Sequence, residues 1–248
     1  MRIVSLVPSL TLTLFDLGLD STSIVGRTPW CIHPKEGITS VPVIGGTKTP
    51  NLGKIAAAQP DLIVMDRDEN PKHVYEWCLE QGYEVYVCHV GHPSDVPAVL
   101  RELGTLVGRH ERGEQMAAEL EQTLESLPLP NGRVGLPLIW NEPLMAANGA
   151  TYAGNMLACM GYDVPVIDPD GTGYPEITES DVIQYGITDL FFSSEPHDFS
   201  RQEAERLQER IVKAGGEPVR VHMIDGEALT WMGSYTNTGL QHFLATLH

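Results

Sequence analysis

Positive charge is scarce in this chain. Its 248 residues carry 16 Lys and Arg against 33 Asp and Glu, a formal net charge of −17. So acidic a surface repels phosphate backbones, which argues against nucleic acid as a partner. Cysteine is sparse too, at Cys31, Cys78, Cys88 and Cys159. These form no CxxC pair and no dense framework, so the spacing encodes neither a disulfide scaffold nor a structural zinc site. Cys78 and Cys159 fall on apolar helix faces and Cys88 closes an apolar strand, which predicts buried free thiols. No apolar run approaches the roughly 20 residues of a membrane span. A leader is not legible either: Met1 runs at once into Arg2-Ile3-Val4-Ser5-Leu6-Val7, which reads as a buried strand. On that reading the expected location is the cytoplasm. The alternative is a periplasmic or surface-anchored location from which a leader has been removed.

The fingerprints of common enzymes are missing as well. There is no GxSxG elbow, no P-loop and no dinucleotide motif. Asp66, Glu69, Glu142 and Glu195 are acid/base types, but no nucleophile or activating partner accompanies them. Ser193-Ser194-Glu195-Pro196-His197 is the nearest approach to a reactive cluster, and it reads as a loop at a strand end. The expectation is a protein that is not an enzyme.

What is present is globular composition, 42% hydrophobic, with helix and strand signals alternating throughout. That alternation predicts an α/β protein with mostly parallel sheets. Strands are expected at 3–7, 23–26, 61–65 and 84–88, and again at 134–140, 189–192 and 219–224. Ser9 is expected to cap a helix ending at Gly18. Further helices are expected at 51–58, 73–81, 179–184 and 202–214, one through Asn155 to Ala158, and one around Leu240. Asp61-Leu62-Ile63-Val64 is answered by Asp189-Leu190-Phe191-Phe192, and Gly82 by Gly216, which suggests two lobes of similar topology. Residues 109–127 place Met116, Leu120, Leu124 and Leu127 on one stripe of a helix, about 28 Å long at 1.5 Å per residue. The domains expected are therefore 1–108, a linking helix at 109–127, and 128–248.

The order of short motifs is specific. Arg2-Ile3-Val4-Ser5-Leu6-Val7-Pro8-Ser9 is followed by Val25-Gly26-Arg27, Cys31-Ile32-His33-Pro34, Val43-Ile44-Gly45-Gly46-Thr47 and Pro50-Asn51-Leu52. Gln59-Pro60-Asp61-Leu62-Ile63 and Tyr174-Pro175-Glu176-Ile177-Thr178 come after them. In this order the chain resembles the substrate-binding proteins of cobalamin, haem and ferric-siderophore ABC importers, its cobalamin branch above all. The resemblance implies two α/β lobes joined by one long helix, a ligand cleft between them, and docking on a permease. It also implies cobalamin or a related corrinoid as ligand, with haem or a ferric siderophore as alternatives. At the family's docking carboxylates this chain has Gly53 and Ser180, with Glu176 and Glu179 nearby. Those departures predict a member that captures its chelate without feeding an importer. The alternatives are an ordinary importer subunit and a metal-dependent enzyme.

Ligands of open α/β sheets lie beyond the carboxyl ends of strands. That rule gathers Trp30, Cys31, His33, Thr47, Asp66, Arg67 and His89 from the first half. From the second it gathers Trp140, Tyr174, Glu195, His197, Trp231 and Tyr235. Trp30, Trp140, Tyr174 and Trp231 are expected as walls for a broad apolar macrocycle. Trp77, between apolar neighbours on a helix, is expected in the core. Cys31, His33 and His197 are the candidates for direct metal ligation.

Overall fold

The computed structural model describes residues 1–247. β1 (Ile3–Ser5) is wholly buried and gives way to α1 (Pro8–Asp16). Pro8 opens this helix, and Val7 caps it without a side-chain bond. Ser9, expected as the cap, lies inside the first turn. Proline's fixed φ and missing N–H suit the first helical position, so it starts the helix two residues early. β2 (Ile24–Gly26) and a kinked turn, α2 (Lys35–Ile38), follow. α3 (Leu52–Ala58) is capped by Asn51 and closed by Gln59 in the left-handed region. β3 (Leu62–Asp66), α4 (Lys72–Glu80) and β4 (Glu84–Cys88) complete a four-stranded sheet. Its order is β2-β1-β3-β4, parallel throughout. The strands lie in the register Ile3 to Leu62 and Leu62 to Glu84. Central β3 is buried at every residue, whereas edge strand β4 is half exposed. Val4, Leu6, Ile44, Ile55, Ile63 and Met65 form the core on one face, with Trp77 packed partly against it.

The sequence pattern had left 96–106 unassigned. It forms α5 (Val96–Leu106), which buries Val96, Val99, Leu100 and Leu103 at helical spacing. The long α6 (His110–Glu125) crosses it at very close range. A Cβ on Gly113 would stand 2.6 Å from the Leu100 carbonyl oxygen, and one on Gly104 would stand 2.9 Å from the Gly113 Cα. Only glycine permits such a backbone approach. Arg101 on α5 then bonds both carboxylates of the α6 pair Glu114 and Glu121, at 2.7–3.0 Å.

The second sheet comprises β5 (Gly135–Trp140), β6 (Met145–Ala146), β7 (Asp189–Ser193) and β8 (Arg220–Ile224). Its order is β6-β5-β7-β8, and only β6 runs antiparallel. β6 was not foreseen, because two residues are too short for an alternation to register. α7 (Tyr152–Ala158), α8 (Glu179–Gln184), α9 (Arg201–Lys213), α10 (Gly226–Thr230) and α11 (Tyr235–Thr246) accompany the sheet. β7 repeats β3 in complete burial, and β8 repeats the edge pattern of β4. Phe191 and Phe192 are among the largest fully buried side chains, each worth about 1.5–3 kcal/mol on burial.

By compactness the chain divides into two units. The first takes Met1–Val90, Asp95–Glu121 and Met232–Tyr235. The second takes Gly91–Ser94, Gln122–Trp231 and the residues from Thr236 on, so α6 carries the chain from one to the other. All four cysteines are free and buried. Among the described residues no helix is long and apolar enough to cross a membrane.

Candidate functional site

In the first unit the parallel strands bring the loops after β2, β3 and β4 to one sheet edge. Asp66 ends β3 almost fully buried. Its Oδ1 accepts from the N–H groups of Asp68 (2.8 Å) and Glu69 (3.0 Å), which folds 66–70 into a tight turn. Asn70 closes that turn by accepting from the Asp66 N–H, while its own amide donates to the carbonyls of Leu6 and Thr47. Thr47 is thereby tied to the ends of β1 and β3. The Arg67 N–H donates to Cys88 O at 2.9 Å, and His89 Nδ1 stands 3.5 Å from Asp68 Oδ2. Thr47, Asp66, Arg67 and His89 are thus one neighbourhood, held by Asn70, a residue that the strand-end rule had not singled out. Burial raises Asp66, and burial with the Asp66 carboxylate pushes Glu69 up to about 7 against the pull of Lys48.

The loop after β2 turns its residues in opposite directions. Trp30 stands 65% exposed, and His33 is half-buried. Cys31 had been expected on the ligand side and as a metal donor, and instead it points inward with no exposure. Its Sγ lies 3.1 Å from Thr11 Oγ1 and 3.2 Å from Thr28 Oγ1, and burial raises the thiol above its ordinary value. A neutral thiol satisfied by two hydroxyls is a core group rather than a thiolate ligand.

In the second unit the loops after β5 and β7 meet at the carboxyl edge of the sheet. Trp140 ends β5 41% exposed, with its indole N–H donated to Glu142 O at 3.0 Å. His197 stands with its ring 5.8 Å from that of Trp140 and edge-on to Phe199 at 4.6 Å. Glu195 is placed beside them by the Ser193 hydroxyl, which donates to Glu195 O at 2.6 Å. Ser194 Oγ accepts from the Gly226 N–H at 2.9 Å, tying this loop to the end of β8. A side chain at Gly226 would stand 2.5 Å from the Glu195 nitrogen, so the approach requires glycine there. Glu203, on the first turn of α9, orders the cluster. One of its oxygens accepts from Asn141 Nδ2 (2.8 Å) and His197 Nε2 (3.0 Å), the other from the Ser200 N–H and hydroxyl. Those bonds, the Ser200 hydroxyl foremost, hold Glu203 down at about 2. The Ser200-x-x-Glu203 capping spacing was the one sequence signal that could have found it.

Other expected residues sit apart from this edge. Tyr174 is 39% exposed on an extended segment beyond β6. That segment pairs Glu176 with Met145 and bonds Gly173 O to the Asn148 N–H. Because β6 runs antiparallel, Tyr174 lies beside the middle of the sheet rather than at its carboxyl edge. Trp231 closes α10 and is only 8% exposed, which leaves little of its face for a ligand. Tyr235 opens α11 but groups with the first unit. The peptide bonds before Pro34, Pro143 and Pro196 are cis. Among the described residues no three His, Cys, Asp or Glu converge as a metal site.

Two α/β units with aromatic and polar loops at their sheet edges, joined through one long helix, define a ligand-binding protein of the substrate-binding class. The chain belongs to the periplasmic binding protein family, whose model matches residues 3–167. It is 22% identical over 189 residues to the vitamin B12-binding protein of Pectobacterium carotovorum subsp. carotovorum, covering 74% of this chain and 67% of that one. The crystal structure of the periplasmic vitamin B12-binding protein of Vibrio cholerae has the same fold. It superposes with a TM-score of 0.80 at 17% identity, over 98% of this chain and 95% of that one. A periplasmic haem-binding protein from Roseiflexus sp. RS-1 gives 0.78 at 19% identity, over 98% and 96%.

Proposed function

We propose that this protein reversibly binds a corrinoid or a related metal chelate through the loops at the carboxyl ends of its sheets, and that it is not an enzyme. The observation that carries the reading is the exposure of large aromatic faces there, Trp30 at 65% and Trp140 at 41%. Exposed indoles standing beside ordered polar groups suit a rigid macrocycle with an apolar face and a polar rim. The names of the B12- and haem-binding relatives support the same ligand class.

Capture without delivery to a permease is the finer reading. Gly53 and Ser180 lie exposed on α3 and α8 with no carboxylate to offer. Neighbouring Glu179 is engaged by Arg210 at 2.5 Å. A cytoplasmic location accompanies this reading, and recovery of the native protein from a periplasmic or surface fraction would exclude it.

The direct test is a titration with cyanocobalamin followed by tryptophan fluorescence and by the visible spectrum, with haemin and a ferric siderophore as comparisons. Saturable quenching is expected for at least one chelate. Trp30→Ala and Trp140→Ala should each weaken it about tenfold or more, as truncating an aromatic anchor does. No response to any of the three overturns the proposal.

A further inference from the structure

One helix of the first unit begins with its donors unused. β1 runs through Leu6 into α1, so the start of α1 stands at the carboxyl edge of the sheet. Val7 caps it without a side-chain bond, no acid lies in its first turn, and Pro8 has no N–H to offer. The first amide of the helix to find a partner is that of Thr11, which donates to Val7 O at 2.9 Å. The N–H groups of Ser9 and Leu10 donate to nothing among the described residues.

The Ser9 hydroxyl is unused as well. Ser9 is only 3% exposed. Every other buried polar side chain among the described residues has a hydrogen-bond partner, and that of Ser9 has none. No fully enclosed side-chain polar atom lacks a partner, so the Ser9 hydroxyl opens on accessible space. Thr11 and Thr13, on the same helix, bond back to the carbonyls of Val7 (2.8 Å) and Ser9 (2.9 Å), four residues earlier. Ser9 makes no such bond. Helix side chains lean toward the N-terminus, so its hydroxyl lies over the open end of α1. A polar group so nearly buried calls for a partner.

The place is where the order of the sheet reverses. From β1 the chain moves to β2 on one side, and from β3 to β4 on the other. Ligands of open parallel sheets occupy the crevice beyond two such strands. The start of α1 follows one of them, and the 66–70 turn follows the other, tied to Leu6 O by Asn70 Nδ2 at 3.2 Å. Asp66 and Glu69 on that turn are both held above the ordinary carboxylate value, Glu69 at about 7 beside Lys48. Near neutrality this wall therefore bears less than its formal negative charge. We infer that the start of α1 is an oxyanion subsite, in which the Ser9 hydroxyl and N–H donate to a carboxylate or phosphate oxygen of the bound chelate, assisted by the positive end of the helix dipole. The inference rests on the proposed chelate binding and adds the ligand group that the first unit reads.

The test uses the full chain and two pairs of probes, titrated by tryptophan quenching. Cyanocobalamin carries a phosphate, which dicyanocobinamide lacks. Haemin carries propionates, which its dimethyl ester masks. In whichever pair binds, Ser9→Ala should weaken the oxyanion-bearing member about tenfold or more and leave the other within about twofold. Loss confined to cyanocobalamin assigns the subsite to phosphate, and loss confined to haemin assigns it to carboxylate. Without ligand, the melting temperature of Ser9→Ala should equal or exceed that of the parent, because the substitution removes an unpaired polar atom. A lower melting temperature would make the hydroxyl part of the fold, and an equal effect on both members of a pair would deny it an oxyanion. Either result overturns the inference and leaves chelate binding standing. Failure of all the probes to bind the parent protein removes the underlying function and the inference with it.

Discussion

Glu69 shows how a single residue at the first unit's edge links local geometry to pH. It follows Asp66 in a turn that Asp66 itself organises, so two carboxyls share one partly dry corner. Burial and the neighbouring carboxylate raise Glu69 to about 7 from an ordinary 4.5, and burial raises Asp66 as well. The folded state therefore binds these protons more tightly than the unfolded chain. Its stability is highest below the unfolded value and is lost as pH climbs from about 4.5 to about 7. Glu69→Gln removes the penalty. We expect the variant to be about 1–2 kcal/mol more stable than the parent at pH 8, after allowing for partial solvation, and no more stable at pH 4. Urea unfolding at the two pH values measures this, and a variant less stable at pH 8 refutes it. None of this was legible in the sequence, where Glu69 is one acid among 33. Cys31 shows the same limit: its spacing to His33 suggests a ligand pair, while the inward turn toward Thr11 and Thr28 depends on contacts remote in sequence.

At the level of elements, periodicity and turn chemistry carried most of the reading. β4 and α8 fall where the pattern places them, and the other expected strands and helices differ mainly at their ends. The pairing of Asp61 with Asp189 reaches further than the hydrophobic strings that suggested it. Asp61 accepts from the Arg2 backbone N–H just before β1, and the buried Asp189 accepts from the Arg133 guanidinium just before β5. α5 carries a regular apolar stripe of Val96, Val99, Leu100 and Leu103, with a proline in its first turn. What no pattern could supply is the depth at which α5 and α6 cross. Gly113→Ala pushes a methyl group into the Leu100 carbonyl, where backbone on both sides cannot move aside. The helix gains in intrinsic propensity by about 1 kcal/mol, but overpacking against backbone costs about 2–3 kcal/mol. A net loss of about 1–2 kcal/mol is expected in chemical denaturation. A more stable variant would mean that the helices separate freely.

Across the whole molecule, the excess of 17 negative charges sets the response to salt. Two electrostatic effects compete. The close ion pairs, such as Arg101 with Glu114 and Glu121 or Arg133 with Asp189, favour folding and lose strength on screening. The unpaired excess opposes folding, and its relief on screening is favourable. Distance decides between them. The Debye length falls from about 30 Å at 0.01 M salt to about 8 Å at 0.15 M. Pairs in contact lie inside either length, so they change little. Repulsions spread over tens of ångströms are felt at the lower ionic strength and largely vanish at the higher. The melting temperature should therefore rise with sodium chloride over that range, most steeply at its low end. The same rise should appear with potassium chloride, because the effect needs no specific ion. Charge-neutralising acids on the second unit's edge should flatten the curve in proportion to the charge removed, and circular dichroism melts of Glu142→Gln and Asp198→Asn measure that. A melting temperature that falls with added salt would place the stability of this protein in its contact pairs instead.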